Sequence, residues 1–468
     1  MTLSYQSRTP DQPWQARVRE RSQNWIAGAI LMDPGMGKTK VVLDTAGAAY
    51  VAGAIDTLVA IAPNGVHEVW AEEAAKHLGI PHVAAVYRSG TVNNPVRAAL
   101  RVRDRLVVIA LNVELLSTAA GLARCREVMA GRRVLLVLDE SQKIRTPGTA
   151  RTRNAWRLGE AAVMRRITTG TVVTRGFENL YAQYRFLHPL IIGCKTYTEF
   201  KARYCVLRGP FNEIVGYQNV EDLLARIGRR TAFAYESEMG LAEPIVRTRY
   251  TALSAEQARL YRSLKETFLA ELRSGAVIEA PLMITRLQKF QQLVAGHLRD
   301  TEGEWHPVPT PRIADTVDVV ANAPSKTIVW AQWQPDIVQL SVAFTKAGIP
   351  HVTYYGGNTT AVNRENLARF KTDPAVHCFL STQSSGGAGL TINEAKHTVN
   401  FSHTFNTEHT WQARKRNHRL GQESVIQVTN LVARGTIDVT LLASERKKAD
   451  FAALLRSPDL VARWLDGD

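Results

Sequence analysis

The chain has 468 residues, of which 45% are hydrophobic and 22% charged, a composition typical of folded proteins and unlike that of disordered ones. Its length is too great for a single hydrophobic core, so we expect two sizeable domains. The 58 Lys and Arg residues exceed the 43 Asp and Glu residues and give a formal net charge of +15, which favours a polyanionic partner.

The first residues, Met1 to Tyr5, lack the basic and apolar regions of a signal peptide, so we expect a cytoplasmic protein. No polybasic amphipathic helix or lipidation signal indicates a membrane partner. The four cysteines are scattered and form no CxxC pair, which predicts buried thiols and neither a zinc site nor a disulfide framework.

Short apolar runs bounded by turn residues recur along the chain and predict strands that are buried on both faces. They alternate with helical stretches such as 66–77, the order that is typical of a doubly wound parallel sheet. One series comprises 58–62, 106–110 and 134–138, and a second comprises 327–330, 351–354, 377–380, 398–401 and 425–428. The sequence therefore predicts an α/β fold with two lobes.

The region between the two series predicts a different kind of structure. Residues from about 180 to 240 are rich in aromatic and basic side chains, and we interpret them as a helical protrusion on the first lobe. Residues 254–298 are helical by pattern, and the prolines within 307–311 predict a rigid loop. We place the first lobe at 1–240 and the second at 241–468.

A glycine-rich turn follows the apolar run 29–32 and precedes a predicted helix. It contains Gly35, Met36, Gly37, Lys38 and Thr39. The glycines allow the backbone to approach phosphates closely, Lys38 would reach the β- and γ-phosphates, and Thr39 would bind a magnesium ion. The sequence therefore predicts a site for ATP and Mg²⁺.

Two carboxylates, Asp139 and Glu140, follow the predicted strand 134–138. Ligands of open α/β sheets bind at the carboxyl ends of the strands, so both side chains are placed where a nucleotide would lie. We expect Asp139 to hold magnesium and Glu140 to orient and deprotonate the attacking water. A solvated pair of acids at a strand end is the simpler alternative, and the phosphate loop argues against it.

A basic stretch far along the chain, 412–422, contains Arg416 and Arg419. Two guanidinium groups on a second lobe can reach the γ-phosphate of a nucleotide held by Lys38 on the first. The sequence therefore predicts an ATPase whose site lies between two lobes, with Lys38, Asp139, Glu140, Arg416 and Arg419 as catalytic residues.

Taken in chain order, these residues resemble the motifs of helicase superfamily two, in its Swi/Snf-like translocase branch. The resemblance extends over nearly the whole chain and implies two tandem RecA-like lobes. It implies an adenine-reading role for Gln15, nucleotide contacts for Gly389 and Gln412, and a coupling motif at Thr169, Gly170 and Thr171. The most specific part of the resemblance is the motif at 412–422, which matches the family at Gln412, Arg416, His418, Arg419, Gly421 and Gln422.

Some residues depart from the family pattern. Asp33-Pro34 replaces the family's acidic residue and methionine, Val172 replaces a proline, and Gln142 replaces the histidine that ends the acidic box. The resemblance also implies DNA contacts, at Asn64, Lys143, Arg145 and Ser384. Each of these four is also compatible with an ordinary loop position. Base stacking by Trp330, Trp333 or Trp411 is an open alternative to a place in the core.

The resemblance implies an ATP-dependent motor that moves along DNA and prefers duplex to single strands. A strand-separating or branch-migrating helicase is the first alternative, and it would need a wedge between strands that we do not identify. A DNA-binding scaffold that only senses ATP is the second, and Glu140, Arg416 and Arg419 argue against it. The compact arrangement suggests a prokaryotic or phage protein, the latter acting in the host cytoplasm.

Overall fold

The computed structural model describes residues 5–88, 92, 94–170, 176–210, 212–273, 280–300, 302–386, 390–404, 407–419 and 421–447. The chain divides into two compact units, Met1–Gly240 and Leu241–Asp468. Each unit has its own parallel sheet with helices packed against it. The predicted α/β fold with two parallel-sheet lobes is therefore confirmed.

A seven-stranded sheet with the order β3-β4-β2-β5-β6-β1-β9 forms the centre of unit 1, and every neighbouring pair is parallel. The strands of unit 1 are β1 Ala27–Met32, β2 Thr57–Ala62, β3 His82–Val86, β4 Leu106–Asn112, β5 Val134–Asp139, β6 Met164–Thr169, β7 Cys205–Arg208, β8 Glu213–Tyr217 and β9 Thr231–Ala234.

The described helices of unit 1 connect these strands. They are α1 Pro13–Ser22, α2 Lys38–Val51, α3 Val66–His77, α4 Asn94–Arg101, α5 Ala119–Met129, α6 Ala150–Glu160, α7 Glu178–Leu187, α8 Tyr197–Tyr204 and α9 Val220–Gly228. Short 3₁₀ helices span Val113–Ser117, Ser141–Ile144 and Glu236–Met239. The helix predicted over 66–77 begins and ends at those residues.

The central strands form because short apolar runs can bury both of their faces between helices. All six residues of β1, of β2 and of β5 are buried, and the odd-numbered residues of β1 and the even-numbered residues of β5 lie in one large core cluster. Among these three strands, polar side chains appear at Thr57, which begins β2, and at Asp139, which ends β5. Asp139 therefore lies at the carboxyl edge of the sheet.

The segment from 180 to 240 is mixed, whereas the sequence predicted a helical protrusion. Besides α7, α8 and α9 it contains the antiparallel pair β7 and β8 and the strand β9, which pairs with β1 at the edge of the main sheet. The hydroxyl of Tyr184 lies 2.7 Å from that of Thr231. Five aromatic residues of the segment belong to the core of unit 1: Tyr181, Tyr184, Phe186, Phe200 and Tyr204. Burial of these rings holds much of the segment against the lobe.

Unit 2 is built on a six-stranded parallel sheet with the order β10-β17-β16-β13-β15-β14. Its strands are β10 Ile245–Thr251, β11 His297–Arg299, β12 Trp305–Pro307, β13 Thr327–Ala331, β14 His351–Tyr354, β15 Cys378–Thr382, β16 His397–Asn400 and β17 Gln427–Ala433. Its described helices are α10 Ala255–Arg273, α11 Ala280–Ala295, α12 Pro311–Ala321, α13 Gln334–Lys346, α14 Thr360–Thr372, α15 Gln383–Gly386, α16 Thr407–Arg414 and α17 Ile437–Lys447.

The guanidinium of Arg166 lies inside unit 1, on β6, fully buried. It donates to the carbonyls of Ser22 at 3.0 Å and Trp25 at 2.6 Å, and also to those of Ile26 and Arg165. Burial lowers the pKa of Arg166 to about 10. Because three of these carbonyls lie at the end of α1 or just after it, the side chain attaches that part of the chain to the sheet.

All four cysteines are buried with free thiols, as the sequence predicted. Burial raises the pKa of the Cys125 thiol to about 12 and that of the Cys205 thiol to about 11. It also raises the pKa values of Cys194 and Cys378. The thiols are therefore protonated near neutral pH.

None of the helices within the described ranges combines the length and the apolar character needed to cross a bilayer.

A buried ion pair joins α12 to α17 in unit 2. Arg312 is 1% exposed, contacts the carboxylate of Asp438 and donates to the carbonyl of Phe401 at 3.0 Å. Asp438 also accepts from the amide of Ala433 at 3.1 Å. Neither charge reaches solvent, so each depends on the other for compensation.

We expect Arg312→Met to lower the free energy of unfolding by about 3–5 kcal/mol, because it leaves Asp438 buried without its cation. Denaturant titration followed by tryptophan fluorescence measures this loss.

Arg249→Met is the matched control. Arg249 also binds α12, through Asp315 at 3.0 Å and Asp318, but its side chain is 38% exposed. Its loss should cost roughly 0–1 kcal/mol. Similar losses for both variants would show that burial does not set the strength of these pairs.

Candidate functional site

The turn Asp33–Gly37, here called the phosphate loop, connects β1 to α2. Gly35 and Gly37 have φ angles of 86° and 85°, which a side chain strongly disfavours. A Cβ on Gly37 would also lie 2.2 Å from the side-chain nitrogen Nε2 of Gln15. Helix α2 begins at Lys38 with no side-chain cap and no acidic residue in its first turn. Its first amides are therefore suited to an anion.

The two side chains predicted to face phosphate and magnesium stand at the start of α2. Lys38 is half-buried, and its ammonium donates to the carbonyl of Met32, the last residue of β1, at 2.9 Å. Thr39, the next residue, is also half-buried. Both side chains therefore lie at the carboxyl edge of the sheet.

Helix α1 contacts the phosphate loop through its first turn. Trp14 and Gln15 both donate to the carbonyl of Met36, at 3.1 and 2.9 Å. Gln15 is 4% exposed, and its side-chain oxygen accepts from the amide of Gln12 at 3.0 Å. The structure thus brings Gln15 to the loop together with Trp14, which no motif in the sequence indicates.

Asp139 ends β5 and is 6% exposed. Its carboxylate accepts from Thr168 Oγ1 at 2.6 Å, from Trp70 Nε1 at 3.3 Å and from the amide of Glu140 at 3.1 Å. Every one of these donors is neutral. Trp70 is buried against this carboxylate.

Glu140 stands at the end of a chain of side-chain hydrogen bonds. Thr169 Oγ1 donates to Gln142 Oε1 at 2.7 Å, and Gln142 Nε2 donates to Glu140 Oε2 at 2.8 Å. Glu140 has a φ of 51°, an uncommon conformation for a residue other than glycine. Gln142, which departs from the family pattern, thereby joins the two motifs, because an amide can accept from one partner while it donates to the other.

The sheet order explains why these groups meet. Strand β6 lies between β1 and β5, and Asp139 pairs with Thr168 in register. The phosphate loop, the two carboxylates and Thr169 therefore share one edge of the sheet. Gly170 follows at the same edge, half-buried, and Thr171 lies outside the described residues.

Arg416 and Arg419 meet within unit 2. Both donate to the carbonyl of Leu390, at 2.9 and 3.2 Å, and Arg416 Nε also donates to the carbonyl of Gln412 at 2.9 Å. Arg416 is only 7% exposed. The two guanidinium groups thus converge on one backbone acceptor, next to the predicted contact Gly389, which lies outside the described residues.

Other residues of the 412–422 motif hold backbone segments together. Asn417 donates to Ala395 O at 3.2 Å, Gln422 donates to Asn393 O at 3.0 Å, and the ring of His418 lies 3.1 Å from Ala242 O. Part of the motif therefore has a structural role within unit 2. Asn417 is not among the predicted site residues, although its position inside the basic run is a signal that could have indicated it.

The predicted DNA contacts lie at sheet edges and not in the core. In unit 1, Asn64 is exposed and hydrogen bonded to Asn112, Lys143 is exposed, and Arg145 is half-buried. Because β2 pairs with β5, these residues follow neighbouring strands. Ser384 is exposed in unit 2.

Trp330 is fully buried in unit 2, so the stacking alternative is wrong for this residue. Trp333 is half-buried and packs near Trp305 and His297, and Trp411 is also half-buried. The large aromatic side chain at Trp330 therefore contributes to the core, which was the simpler expectation.

Comparison with known proteins places this chain in a family. The model of the SNF2-related domain matches residues 16–294, more than half of the chain. The chain belongs to the SNF2-related domain family. The helicase conserved C-terminal domain matches residues 312–421. The first match includes the phosphate loop and the two carboxylates, and the second includes Arg416 and Arg419.

Relatives share parts of this chain. It is 33% identical over 151 residues to the TATA-binding protein-associated factor mot1 of Aspergillus fumigatus, a stretch covering 31% of this chain and 8% of that protein. It is 21% identical over 441 residues to an uncharacterized ATP-dependent helicase of Mycoplasma genitalium, covering 92% of this chain and 40% of that protein. The chain thus spans less than half the length of these two relatives.

Among solved structures, the SWI2/SNF2 ATPase core of Sulfolobus solfataricus in complex with dsDNA covers 100% of this chain. The identity is 20%, the TM-score is 0.45, and the match covers 99% of that chain.

Proposed function

We propose that this SNF2-related chain is an ATP-dependent DNA translocase, which couples hydrolysis of Mg-ATP to movement along duplex DNA in the cytoplasm. The observation that carries the proposal is the hydrogen-bond chain from Thr169 through Gln142 to Glu140, at the same sheet edge as the phosphate loop. It joins a proposed coupling motif to the proposed catalytic carboxylate.

The phosphate loop supports the binding of a triphosphate. The uncapped start of α2 offers backbone amides, and the helix dipole favours negative charge there. Lys38 would exchange the carbonyl of Met32 for phosphate oxygens, which carry more negative charge. At Gly35, Met36 and Gly37 the backbone would approach the phosphates closely. Gln15, beside the loop, is the proposed contact to adenine. Gly389 and Gln412 are the proposed nucleotide contacts from unit 2.

The residues around Asp139 fit a divalent cation. This carboxylate is almost completely buried, yet the donors around it, Thr168, Trp70 and an amide, carry no charge. A buried carboxylate is costly without a positive partner. Thr39 and Asp139 would hold magnesium, which would neutralise phosphate charge.

Glu140 is the proposed general base. Gln142 fixes one of its oxygens, so its carboxylate is held in one orientation relative to a water. A movement at Thr169, Gly170 or Thr171 would pass through Gln142 to that oxygen. Proton acceptance would in this way depend on the coupling motif.

Arg416 and Arg419 are the proposed arginine fingers. Both guanidinium groups already point to one acceptor, Leu390 O, so they are oriented as a pair. A carbonyl is a weaker partner than a phosphate oxygen, and exchange of one for the other would stabilise the charge that develops in the transition state.

Movement along DNA would use contacts to the phosphate backbone, which carries no sequence information directly. Asn64, Lys143 and Arg145 are proposed to supply such contacts from unit 1, and Ser384 from unit 2. The net charge of +15 favours association with a polyanion.

We expect Lys38→Ala to lose nucleotide binding or turnover, whereas Glu140→Gln keeps Mg-ATP binding but loses hydrolysis. Lys38 neutralises phosphate charge already in the ground state, and Glu140 acts only as the water reacts. Fluorescent-nucleotide titration and phosphate release measure the two effects separately. Turnover near that of the unmodified protein in Glu140→Gln, at saturating DNA, would exclude this carboxylate as the base.

Arg416→Ala and Arg419→Ala should leave ATP affinity within a few-fold but reduce DNA-stimulated turnover by about 10³-fold or more, as expected for arginine fingers. Arg414→Ala is the matched control. Arg414 is exposed, and its ion pair with Glu243 is long, at 3.7 Å. It should stay within a few-fold of the unmodified protein. Equal reductions in basal and stimulated rates would contradict the finger assignment.

The proposed activity is tested by ATPase rates with no nucleic acid, duplex DNA, single-stranded DNA, forked DNA and RNA. We expect the largest stimulation by duplex DNA, and displacement of a triplex-forming strand without unwinding of the duplex, because such a motor follows the phosphate backbone. Unwinding of forks without triplex displacement would favour the strand-separating helicase. Turnover that DNA does not stimulate would favour the ATP-sensing scaffold.

A further inference from the structure

The 3₁₀ helix Glu236–Met239 is attached to the phosphate loop. The carboxylate of Asp33 accepts from the amide of Glu236 at 2.8 Å, and the amide of Asp33 donates to the carbonyl of Ala234 at 3.2 Å. A single residue of the loop thus makes both a side-chain and a backbone contact with residues 234–236. Its carboxylate caps the first turn of this short helix.

The same short helix is also attached to α1. Arg17 donates to both carboxylate oxygens of Glu238, at 2.6 and 2.9 Å, and to the carbonyl of Phe233 at 3.2 Å. One of those oxygens also accepts from the amide of Tyr235 at 2.9 Å. A paired guanidinium and carboxylate fix direction as well as distance.

Helix α1 in turn holds the phosphate loop through Trp14 and Gln15, which donate to Met36 O. Asp33 and Met36 are the two ends of one turn, because the amide of Met36 bonds to the carbonyl of Asp33 at 3.3 Å. The contacts therefore form a closed ring from the loop to residues 234–238, to α1 and back to the loop.

The ring lies where the chain leaves unit 1. The 3₁₀ helix ends at Met239, Gly240 follows with a φ of 63°, and unit 2 begins at Leu241. A residue with positive φ ends the turn sharply, as glycine does after helices. The segment that Asp33 and Arg17 hold is thus the last one before the connection to unit 2.

We propose that Asp33 and Arg17 are positioning residues through which a nucleotide at the phosphate loop fixes residues 234–239, the start of the connection to unit 2. This inference rests on the proposed binding of ATP at that loop. A phosphate bound by the amides after Gly37 restrains the turn between Asp33 and Met36. Because both ends of the turn belong to the ring, the restraint reaches the 3₁₀ helix without passing through the catalytic residues.

Hydrogen exchange of the whole chain, followed by mass spectrometry, tests this inference with and without a non-hydrolysable ATP analogue and magnesium. In the unmodified protein, the nucleotide should slow exchange of the amides of residues 235–239 by about tenfold, the factor that one added hydrogen bond gives. Asp33→Ala and Arg17→Met should both lose this slowing. In Arg17→Met nucleotide affinity should stay within about threefold, since Arg17 lies on α1 and outside the phosphate loop.

Asp33→Asn should retain part of the slowing, because its amide oxygen still accepts a hydrogen bond. Arg21→Met is the matched control: Arg21 lies one turn further along α1 and donates to the carbonyls of Thr231 at 3.1 Å and Gly228 at 3.0 Å, outside the ring. It should keep the slowing in full. In turnover assays, Arg17→Met should lower kcat with duplex DNA and leave KM for ATP nearly unchanged.

Failure of the unmodified protein to bind the analogue would overturn the proposed ATP site and this inference with it. Binding without any slowing at 235–239 would overturn the inference alone. Equal loss of slowing in Asp33→Ala and Arg21→Met would also overturn it, because a general weakening of the edge of unit 1 would then explain both.

Discussion

The parallel pairing of β1, β6 and β5 is the constraint on which the candidate site depends. Parallel neighbours end at the same edge of a sheet, so the residues that follow the three strands meet whatever their separation along the chain. Met32, Asp139 and Thr169 end these strands. Their side chains and the loops after them therefore occupy one small region, and backbone hydrogen bonds of the sheet fix their register.

Two charged groups at this edge of unit 1, Lys38 and Asp139, bond to neutral partners. The ammonium of Lys38 bonds to a carbonyl, and the carboxylate of Asp139 accepts from a hydroxyl, an indole and an amide. Neutral partners orient an ionised side chain without cancelling its charge. Such groups remain able to respond to a charged ligand.

The sequence predicts what depends on local patterns and misses what depends on distant partners. Continuous apolar runs reveal β2 and β5, and motif spacing reveals Lys38, Asp139 and Glu140. Two arginines interrupt the apolar pattern of β6, so the sequence does not predict this buried strand, yet Arg166 donates to carbonyls about 140 residues earlier in the chain. Asp33 accepts a hydrogen bond from the amide of Glu236, 203 residues later in the chain, and no local sequence pattern predicts that contact.

The four buried thiols make the chain poorly reactive towards thiol-labelling reagents. Labelling reagents attack thiolates, and these cysteines are both buried and protonated near neutral pH. A single cysteine placed on an exposed surface would therefore react ahead of all of them. The natural chain can carry one fluorophore on each unit without removal of its own cysteines, so the distance between the two units can be followed through each step of nucleotide turnover.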